Sequence, residues 1–314
     1  MRVTCQLLLA LVLTFTSHGA EPPGGKKLRI LTTFLPLYCF ALNVGGDLAE
    51  VENLLPSNIS PHDYQFSRRD LQKVQRADVI VRNGAGMDIW LEKLLLTAGR
   101  DKKIVVATSG MDKDFIWGVT PLDGFSRGRE QNKGVPNPHV WLDPKLAQQM
   151  VTNILIALVD LDPTHQDTYR ANAAEFLASL QKLHADFENG LGPLRGQALV
   201  TLHDAFPYLV RRYGLRLAGV LEQVPDVDPS ARYLQAFQDA LRKEKIPVLF
   251  VEPQYSSRLV RQIAKDLNLK VAELDTLETG PLKKDAYERT MRRNLQSLCG
   301  SLTPASHASE TQSQ

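Results

Sequence analysis

The chain has 314 residues, of which 43% are hydrophobic and 23% are charged, and its formal net charge is +2. This length suits one large domain or two of ordinary size, and the composition is typical of a soluble globular protein. No basic block stands out, so the charge pattern argues against nucleic acid as a partner.

The N-terminal segment MRVTCQLLLALVLTFTSHGAEPPGG is typical of a secretory signal. One basic residue precedes an apolar run from Leu7 to about Phe15, and small and polar residues follow up to Ala20. The run is too short for a stable membrane span, although an uncleaved anchor is the alternative. Cys5 lies before the run and therefore cannot be the lipidated cysteine of a lipoprotein signal. We expect cleavage after Ala20 and a soluble periplasmic protein.

Strand-like and helix-like segments alternate after the signal. Short apolar strands rich in β-branched residues are predicted at 28–33, 49–56, 78–83 and 102–109. Helix-like segments lie between them, the clearest at 67–77 and 86–99. Strands that alternate with helices indicate a parallel sheet with both faces covered.

The same alternation restarts late in the chain. Four further strands are predicted at 197–204, 215–221, 247–253 and 269–275, and the helices between them include 205–214 and 230–245. The predicted fold class is therefore α/β. It has two similar lobes, each a roughly four-stranded, mostly parallel sheet with flanking helices.

One long helix is predicted between the two arrays. The chain contains neither Pro nor Gly at 164–189, Asp162 and Pro163 supply an N-cap and a first-turn proline, and Gly190 supplies a stop. About 27 helical residues would span roughly 40 Å, which suits a connection between lobes. The predicted organisation is a signal peptide at 1–20, a first lobe at 21–162, the linker helix at 163–192, a second lobe at 193–302 and a disordered polar tail at 303–314.

Two cysteines, Cys39 and Cys299, remain after cleavage of the signal. An oxidising compartment would permit a disulfide between them. They lie near opposite ends of the chain, and we favour two separately buried thiols over a bridge.

Six histidines remain after the signal, and three of them have ordinary surroundings. His307 lies in the polar tail, and His165 and His184 lie among charged residues of the long helix. We expect these three to be surface residues without a function.

The other three histidines and one carboxylate lie where ligands bind in α/β folds. His62 follows the strand 49–56, His203 closes the strand that begins at 197, and Asp275 closes the last strand. His139 lies in PNPHVWLDP, where two prolines stiffen a non-helical loop around the imidazole. Ligands bind beyond the carboxyl ends of parallel strands, and imidazole and carboxylate are ligands of zinc and related metals. Placement alone leaves a second interpretation open, in which these residues cap turns or helices.

Five segments carry a family resemblance: PHDYQFSRRDLQKVQRADVIVRNGAGMDIWLEKL, NPHVWLDP, HDAFPYLVRRYGL, VLFVEPQ and LDTLE. In this order they resemble the motifs of the metal-binding solute-binding proteins of bacterial ABC transporters. These form the zinc/manganese family (solute-binding protein family 9) of the helical-backbone metal receptors. The resemblance runs from about Leu28 to Leu302. It implies two α/β lobes joined by one long helix, with a metal bound between the lobes and delivered to a membrane permease. We expect the protein to be a monomer.

The family's ligand positions fall on His62, His139, His203 and Asp275, so the resemblance implies that these four residues hold the metal. Two features depart from the family pattern. The first motif reads PHDYQF where the family usually has PHxYEP, and the segment 112–136 lacks the histidine-rich acidic loop that many zinc-specific members carry.

Zinc is the expected cargo, because imidazole suits zinc whereas manganese prefers carboxylate oxygen. Since the histidines must be neutral to bind, we expect the affinity to fall as the pH drops through roughly 6.5. Asp204 and Glu252 are candidates for orienting a ligand imidazole, although Glu252 could equally cap the following helix.

Other functions remain open at this point. A manganese-specific protein of the same fold is one, and a receptor for an organic metal complex or a surface adhesin is another. A zinc hydrolase could use the three histidines as ligands and Asp275 as general base. The sequence contains no HExxH or GxSxG motif, so we expect a binding protein and not an enzyme.

Overall fold

A computed structural model describes residues 26–62, 64–98, 102–118, 134–222, 229–253 and 258–303 of the chain. The predicted signal peptide at 1–20, residues 119–133 of the segment without histidine, and the tail beyond 303 lie outside these described residues. Within the described residues, no helix is both long and apolar enough to span a membrane.

The first lobe is built on a parallel four-stranded sheet with the strand order β2-β1-β3-β4. The four strands predicted in this half are confirmed, and each is shorter than its predicted segment. The elements are β1 (Leu28–Thr32), α1 (Leu35–Gly45), β2 (Ala49–Asn53), α2 (Arg68–Arg76), β3 (Val79–Arg82), α3 (Trp90–Ala98), β4 (Lys103–Val106) and α4 (Pro144–Leu161).

The long helix α5 (Gln166–Leu191) follows a single 3-10 turn at Pro163–His165 and has 26 residues. At 1.5 Å per residue it is about 39 Å long. Tyr169, Phe176, Leu180 and Phe187 lie on its buried face, which packs against α1 and α4. The predicted linker helix is confirmed, and its apolar face makes it part of the core rather than an isolated strut.

The second lobe repeats the architecture of the first, with the strand order β6-β5-β7-β8 and parallel pairing throughout. Its predicted strands are likewise confirmed. The elements are β5 (Ala198–His203), α6 (Pro207–Tyr213), β6 (Arg216–Glu222), α7 (Ala231–Glu244), β7 (Val248–Val251), α8 (Arg258–Asp266), β8 (Lys270–Glu273) and α9 (Ala286–Leu302).

Helices α4 and α9 were not identified from the sequence. The start signals of α4 are nevertheless present, because Asp143 accepts a hydrogen bond from the Lys145 amide and Pro144 occupies the first helical position. Helix α9 belongs to the second half of the chain but packs against α1 and α5. The two lobes therefore share a hydrophobic core, which includes Trp141 from the first half and Tyr287 from the second, and the second lobe has a further cluster of its own around Phe237.

The two thiols are free, as the sequence analysis favoured. Cys39 is buried beside the start of α9 and contacts the Lys283 carbonyl, whereas Cys299 lies near the end of the same helix and is half-buried. The helix places them on the order of 20 Å apart along its axis, far beyond the reach of a disulfide. Burial raises the pKa of the Cys39 thiol to about 12.

Candidate metal site

Four side chains from both lobes converge at the carboxyl ends of the strands. His62, His139, His203 and Glu278 each offer one ligand atom, and these atoms all lie within 4.8 Å of one another. The first two residues come from the first lobe and the last two from the second. The structure thus brings together the three histidines singled out in the sequence, and it places Glu278 beside them instead of Asp275.

His62 lies on the loop that follows β2 and forms the most exposed part of the site, with 19% of its side chain accessible. The indole Nε1 of Trp90 donates a 3.0 Å hydrogen bond to the Pro61 carbonyl and so supports the loop from α3. His62 Nε2 lies 3.2 Å from His139 Nε2, so both rings present the same nitrogen to the same point.

His139 is held by the proline-stiffened loop and by an amide. Asn137 Oδ1 accepts a 3.1 Å hydrogen bond from the His139 amide and lies 3.0 Å from its Nδ1. Asn83 Nδ2 donates to the Pro138 carbonyl, which fixes the same turn. With Nδ1–H donated to Asn137, the Nε2 lone pair is free for a metal. Burial lowers the pKa of His139 to about 3, so this imidazole is neutral at physiological pH.

His203 closes β5 and is backed by a carboxylate. Its Nδ1 lies 3.3 Å from Oε1 of the buried Glu252, while its Nε2 is buried and has no hydrogen-bond partner among the described residues. Burial alone would lower the pKa of His203, but the hydrogen bond to Glu252 and the nearby carboxylates outweigh it and raise the pKa to about 9. The structure therefore places Glu252 where it orients this imidazole.

The two carboxylate oxygens of Glu278 have different partners. Oε1 lies 3.1 Å from His62 Nε2 and 3.0 Å from His139 Nε2, whereas Oε2 accepts a 3.1 Å hydrogen bond from Ser60 Oγ. Burial opposes ionisation of this carboxyl, but the adjacent imidazoles hold its pKa well below the usual range. Glu278 is therefore an ionised carboxylate that is almost fully shielded from solvent.

Asp275 was predicted to close the last strand, but β8 ends at Glu273, two residues earlier, and the Asp275 carboxylate belongs to the turn that follows. Its Oδ1 accepts a 2.8 Å hydrogen bond from the Leu277 amide, and its Oδ2 lies 3.8 Å from Arg293. Leu277 has a left-handed φ of +62°, which redirects the chain so that the next side chain, Glu278, enters the site. Aspartate commonly bonds its own backbone two residues on, so the LDTLE segment could have indicated a turn role for Asp275, but it did not indicate that Glu278 enters the site.

The remaining sequence predictions near the site have mixed outcomes. Trp141 lies in the core as expected, and its Nε1 donates a 2.8 Å hydrogen bond to the Thr276 carbonyl of the second lobe. His165 is half-exposed and pairs with Asp162. The prediction that His184 is a surface residue was wrong. It is buried, and its Nδ1 lies 3.1 Å from the hydroxyl of Tyr213 on α6.

The donor set has the chemistry of a closed zinc site. Three imidazole nitrogens and one carboxylate oxygen make four donors, the number that zinc takes in tetrahedral coordination. Nε2 of His203 is buried and has no partner in the part of the chain that the structure describes. This is a further sign that the cluster is built for a ligand, because buried polar atoms in native proteins normally have partners.

Comparison with known proteins agrees with this geometry. Residues 30–300 match the family described as zinc-uptake complex component A, periplasmic. The high-affinity zinc uptake system protein ZnuA of Bacillus subtilis is 30% identical over 310 residues, which cover 95% of each chain. The zinc-binding lipoprotein AdcA of Streptococcus pneumoniae is 32% identical over 296 residues, which cover 93% of this chain but 58% of that protein.

Solved structures show the same fold. A crystal structure of ZnuA is 29% identical and superposes with a TM-score of 0.74, covering 88% of this chain and all of that one. Zn(II)-bound AdcA from Streptococcus pneumoniae is 31% identical, with a TM-score of 0.73 and coverage of 88% and 58%. FpvC from Pseudomonas aeruginosa in complex with Mn2+ is 28% identical, with a TM-score of 0.79 and coverage of 88% and 99%. The chain therefore belongs to the family of periplasmic zinc-uptake complex component A proteins.

Proposed function

We propose that this protein captures one zinc ion between its lobes and delivers it to an ABC-type membrane permease. The observation that carries the proposal is the convergence of four donor atoms within 4.8 Å, two from each lobe. His62, His139, His203 and Glu278 are the proposed ligands, and Glu278 replaces Asp275 in the set taken from the sequence.

Zinc fits this donor set better than manganese does. Three of the four donors are imidazoles, which suit zinc, whereas manganese favours carboxylate and water oxygens and higher coordination. The relatives named for zinc uptake and zinc binding support this choice. The Mn2+ complex of FpvC shows that the fold by itself does not select one metal, so selectivity must come from the donors and their surroundings.

A binding function accounts for the site better than a zinc hydrolase does. Catalytic zinc keeps an open position, and four protein donors would fill a tetrahedral shell. The proposed general base of such an enzyme, Asp275, uses its carboxylate to bond the Leu277 amide instead. We therefore propose that the protein is not an enzyme.

The proposed carrier is an exported monomer. Both lobes of one chain supply the donors, so a second copy is not needed to complete the site. The family description as periplasmic supports export, and the proposed signal peptide at 1–20 provides for it. We keep the proposed division into a first lobe at 21–162, a linker helix at 163–192 and a second lobe at 193–302, with a tail from 303.

Zinc titration of the chelator-stripped mature protein, in competition with a chromogenic chelator, tests the proposal. We expect one zinc per chain with a dissociation constant below micromolar, and a large loss of affinity in Glu278→Ala. Glu273→Ala is the matched control, because this exposed glutamate lies on β8 outside the cluster. Failure of the wild-type protein to bind zinc, or equal affinities of the two variants, would contradict the proposal.

A further inference from the structure

The two oxygens of Glu278 face different partners, and only one of them faces the metal site. Oε1 faces His62 Nε2 and His139 Nε2, whereas Oε2 is held by Ser60 Oγ at 3.1 Å. The side chain is only 4% exposed, so water cannot readily replace the serine as the partner of Oε2.

The hydroxyl of Ser60 is itself oriented. It accepts a long, 3.4 Å hydrogen bond from the His62 amide, and its single hydrogen is donated to Glu278. Ser60 therefore links the backbone of one proposed ligand to the carboxylate of another across the two lobes. Since a hydroxyl has one hydrogen to donate, Ser60 cannot donate to another acceptor while it donates to Glu278 Oε2.

A second contact fixes the loop that carries Ser60. The Gly280 amide donates a 2.7 Å hydrogen bond to the Ser57 carbonyl, three residues before Ser60. The segments 57–62 and 275–280 are thus joined at two points, at Glu278 itself and two residues later at Gly280. This double attachment sets the distance between Ser60 and the carboxylate.

We propose that Ser60 is a specificity-determining residue of the metal site. By holding Oε2 away from the point where the three imidazoles meet, it restricts Glu278 to a single donating oxygen and the protein to four donors. Four donors complete the tetrahedral shell of zinc. Manganese favours six oxygen-rich donors, so loss of the second carboxylate oxygen weakens it selectively. The inference rests on the proposed function and adds to it the residue that excludes the competing metal.

The test measures the zinc and manganese dissociation constants of the mature protein, Ser60→Ala and Ser60→Thr. In Ser60→Ala we expect the ratio of zinc affinity to manganese affinity to fall by about tenfold or more, the size of effect typical of groups that orient a ligand. Ser60→Thr keeps a hydroxyl and should restore the ratio toward that of the wild type. Ser57→Ala is the matched control, because this exposed serine of the same loop contributes its backbone carbonyl to the Gly280 contact.

A spectroscopic readout separates selectivity from a merely structural role. Cobalt(II) absorbs strongly in the visible range when four-coordinate and weakly when five- or six-coordinate. The cobalt form of the wild-type protein should show the strong bands, and Ser60→Ala should weaken them as the second carboxylate oxygen enters. Thermal unfolding of the metal-free variants checks that they remain folded.

An unchanged affinity ratio in Ser60→Ala, even if both affinities fall, would overturn the inference while the proposed function stands, and so would an unchanged cobalt spectrum. Failure of the wild-type protein to bind zinc would instead overturn the proposed function itself.

Discussion

The first-lobe and second-lobe sides of the site hold a buried histidine in opposite electrostatic settings. His139 is oriented by the neutral amide of Asn137, and burial lowers its pKa to about 3. His203 is just as buried, but Glu252 backs it and its pKa rises to about 9. Burial lowers both pKa values and Glu278 raises both, so the Glu252 carboxylate, which has no counterpart behind His139, is the main difference between the two rings.

The contrast assigns different roles to the two lobes. The first lobe offers His139 as a neutral donor that is ready to bind, whereas the second lobe stores a proton on His203 that a metal must displace. That proton also reduces the repulsion between Glu252 and Glu278, two buried carboxylates near the same ring. In the metal-free site, the proton on His203 therefore offsets the negative charge of the two carboxylates. In the metal-bound site, the metal cation does so.

The largest expected effect comes from removing either histidine. His139→Ala and His203→Ala should each weaken zinc binding by more than about 100-fold, beyond the range typical of groups that only orient a ligand. The two variants should differ in pH dependence. Because His203 holds the displaceable proton, His203→Ala should lose most of the pH dependence of the residual affinity, and His139→Ala should keep it. Zinc titrations at several pH values measure this. Equal slopes of affinity against pH in the two variants would contradict the different roles of the two histidines.

In the wild-type protein, zinc affinity should fall as the pH falls. Below the raised pKa of His203 the ring is protonated, and one proton must leave for each metal bound, so the apparent affinity drops by up to about tenfold per pH unit. The decline should therefore begin near pH 9, above the value of roughly 6.5 for an unperturbed histidine. Calorimetry in buffers of different ionisation enthalpy counts the protons released. No proton release from the site at pH 7 to 8 would contradict the raised pKa.

Glu252→Gln would give His203 a neutral amide as its partner, like the Asn137 amide beside His139. The amide can still accept from His203 Nδ1, but it no longer stabilises the charged ring, so the pKa of His203 should fall. We expect the pH at which zinc binding weakens to move down, and the affinity at pH 9.5 to fall by about tenfold because the ligand loses basicity. Nuclear magnetic resonance of the metal-free variant follows the titration of the ring directly. An unchanged midpoint would show that Glu252 does not set the charge of His203.

Particular residues show how far the sequence could predict this molecule. The eight strands followed from short apolar segments, and the long helix followed from a stretch without Pro or Gly between start and stop signals. The three histidines lay at strand ends or in a proline-stiffened loop, where ligands bind. Glu278 could not be chosen in the same way, because its position depends on the left-handed backbone of Leu277. His184 was misplaced because the charged residues near it were weighed above the helical period. Leu180 and Phe187, four residues before it and three after it, lie on the same buried face of α5.

An effect no larger than that of Glu252→Gln is expected for Asp275, the residue at which the ligand set predicted from the sequence differs from the cluster in the structure. Asp275→Ala removes the acceptor of the Leu277 amide and loosens the turn that positions Glu278, so zinc affinity should fall by about tenfold, at the low end for an orienting group.

Asp275→Asn discriminates between the two roles of this residue. An asparagine oxygen can make the same bond to the Leu277 amide, so a positioning role predicts affinity close to that of the wild type. A ligand role predicts a large loss in both variants, because a neutral amide is a much weaker zinc donor than a carboxylate. Zinc titration of the two variants beside Glu278→Ala therefore decides which acidic residue of LDTLE completes the site. Near-normal affinity in Asp275→Asn together with a large loss in Glu278→Ala would assign the metal to Glu278 and the turn to Asp275.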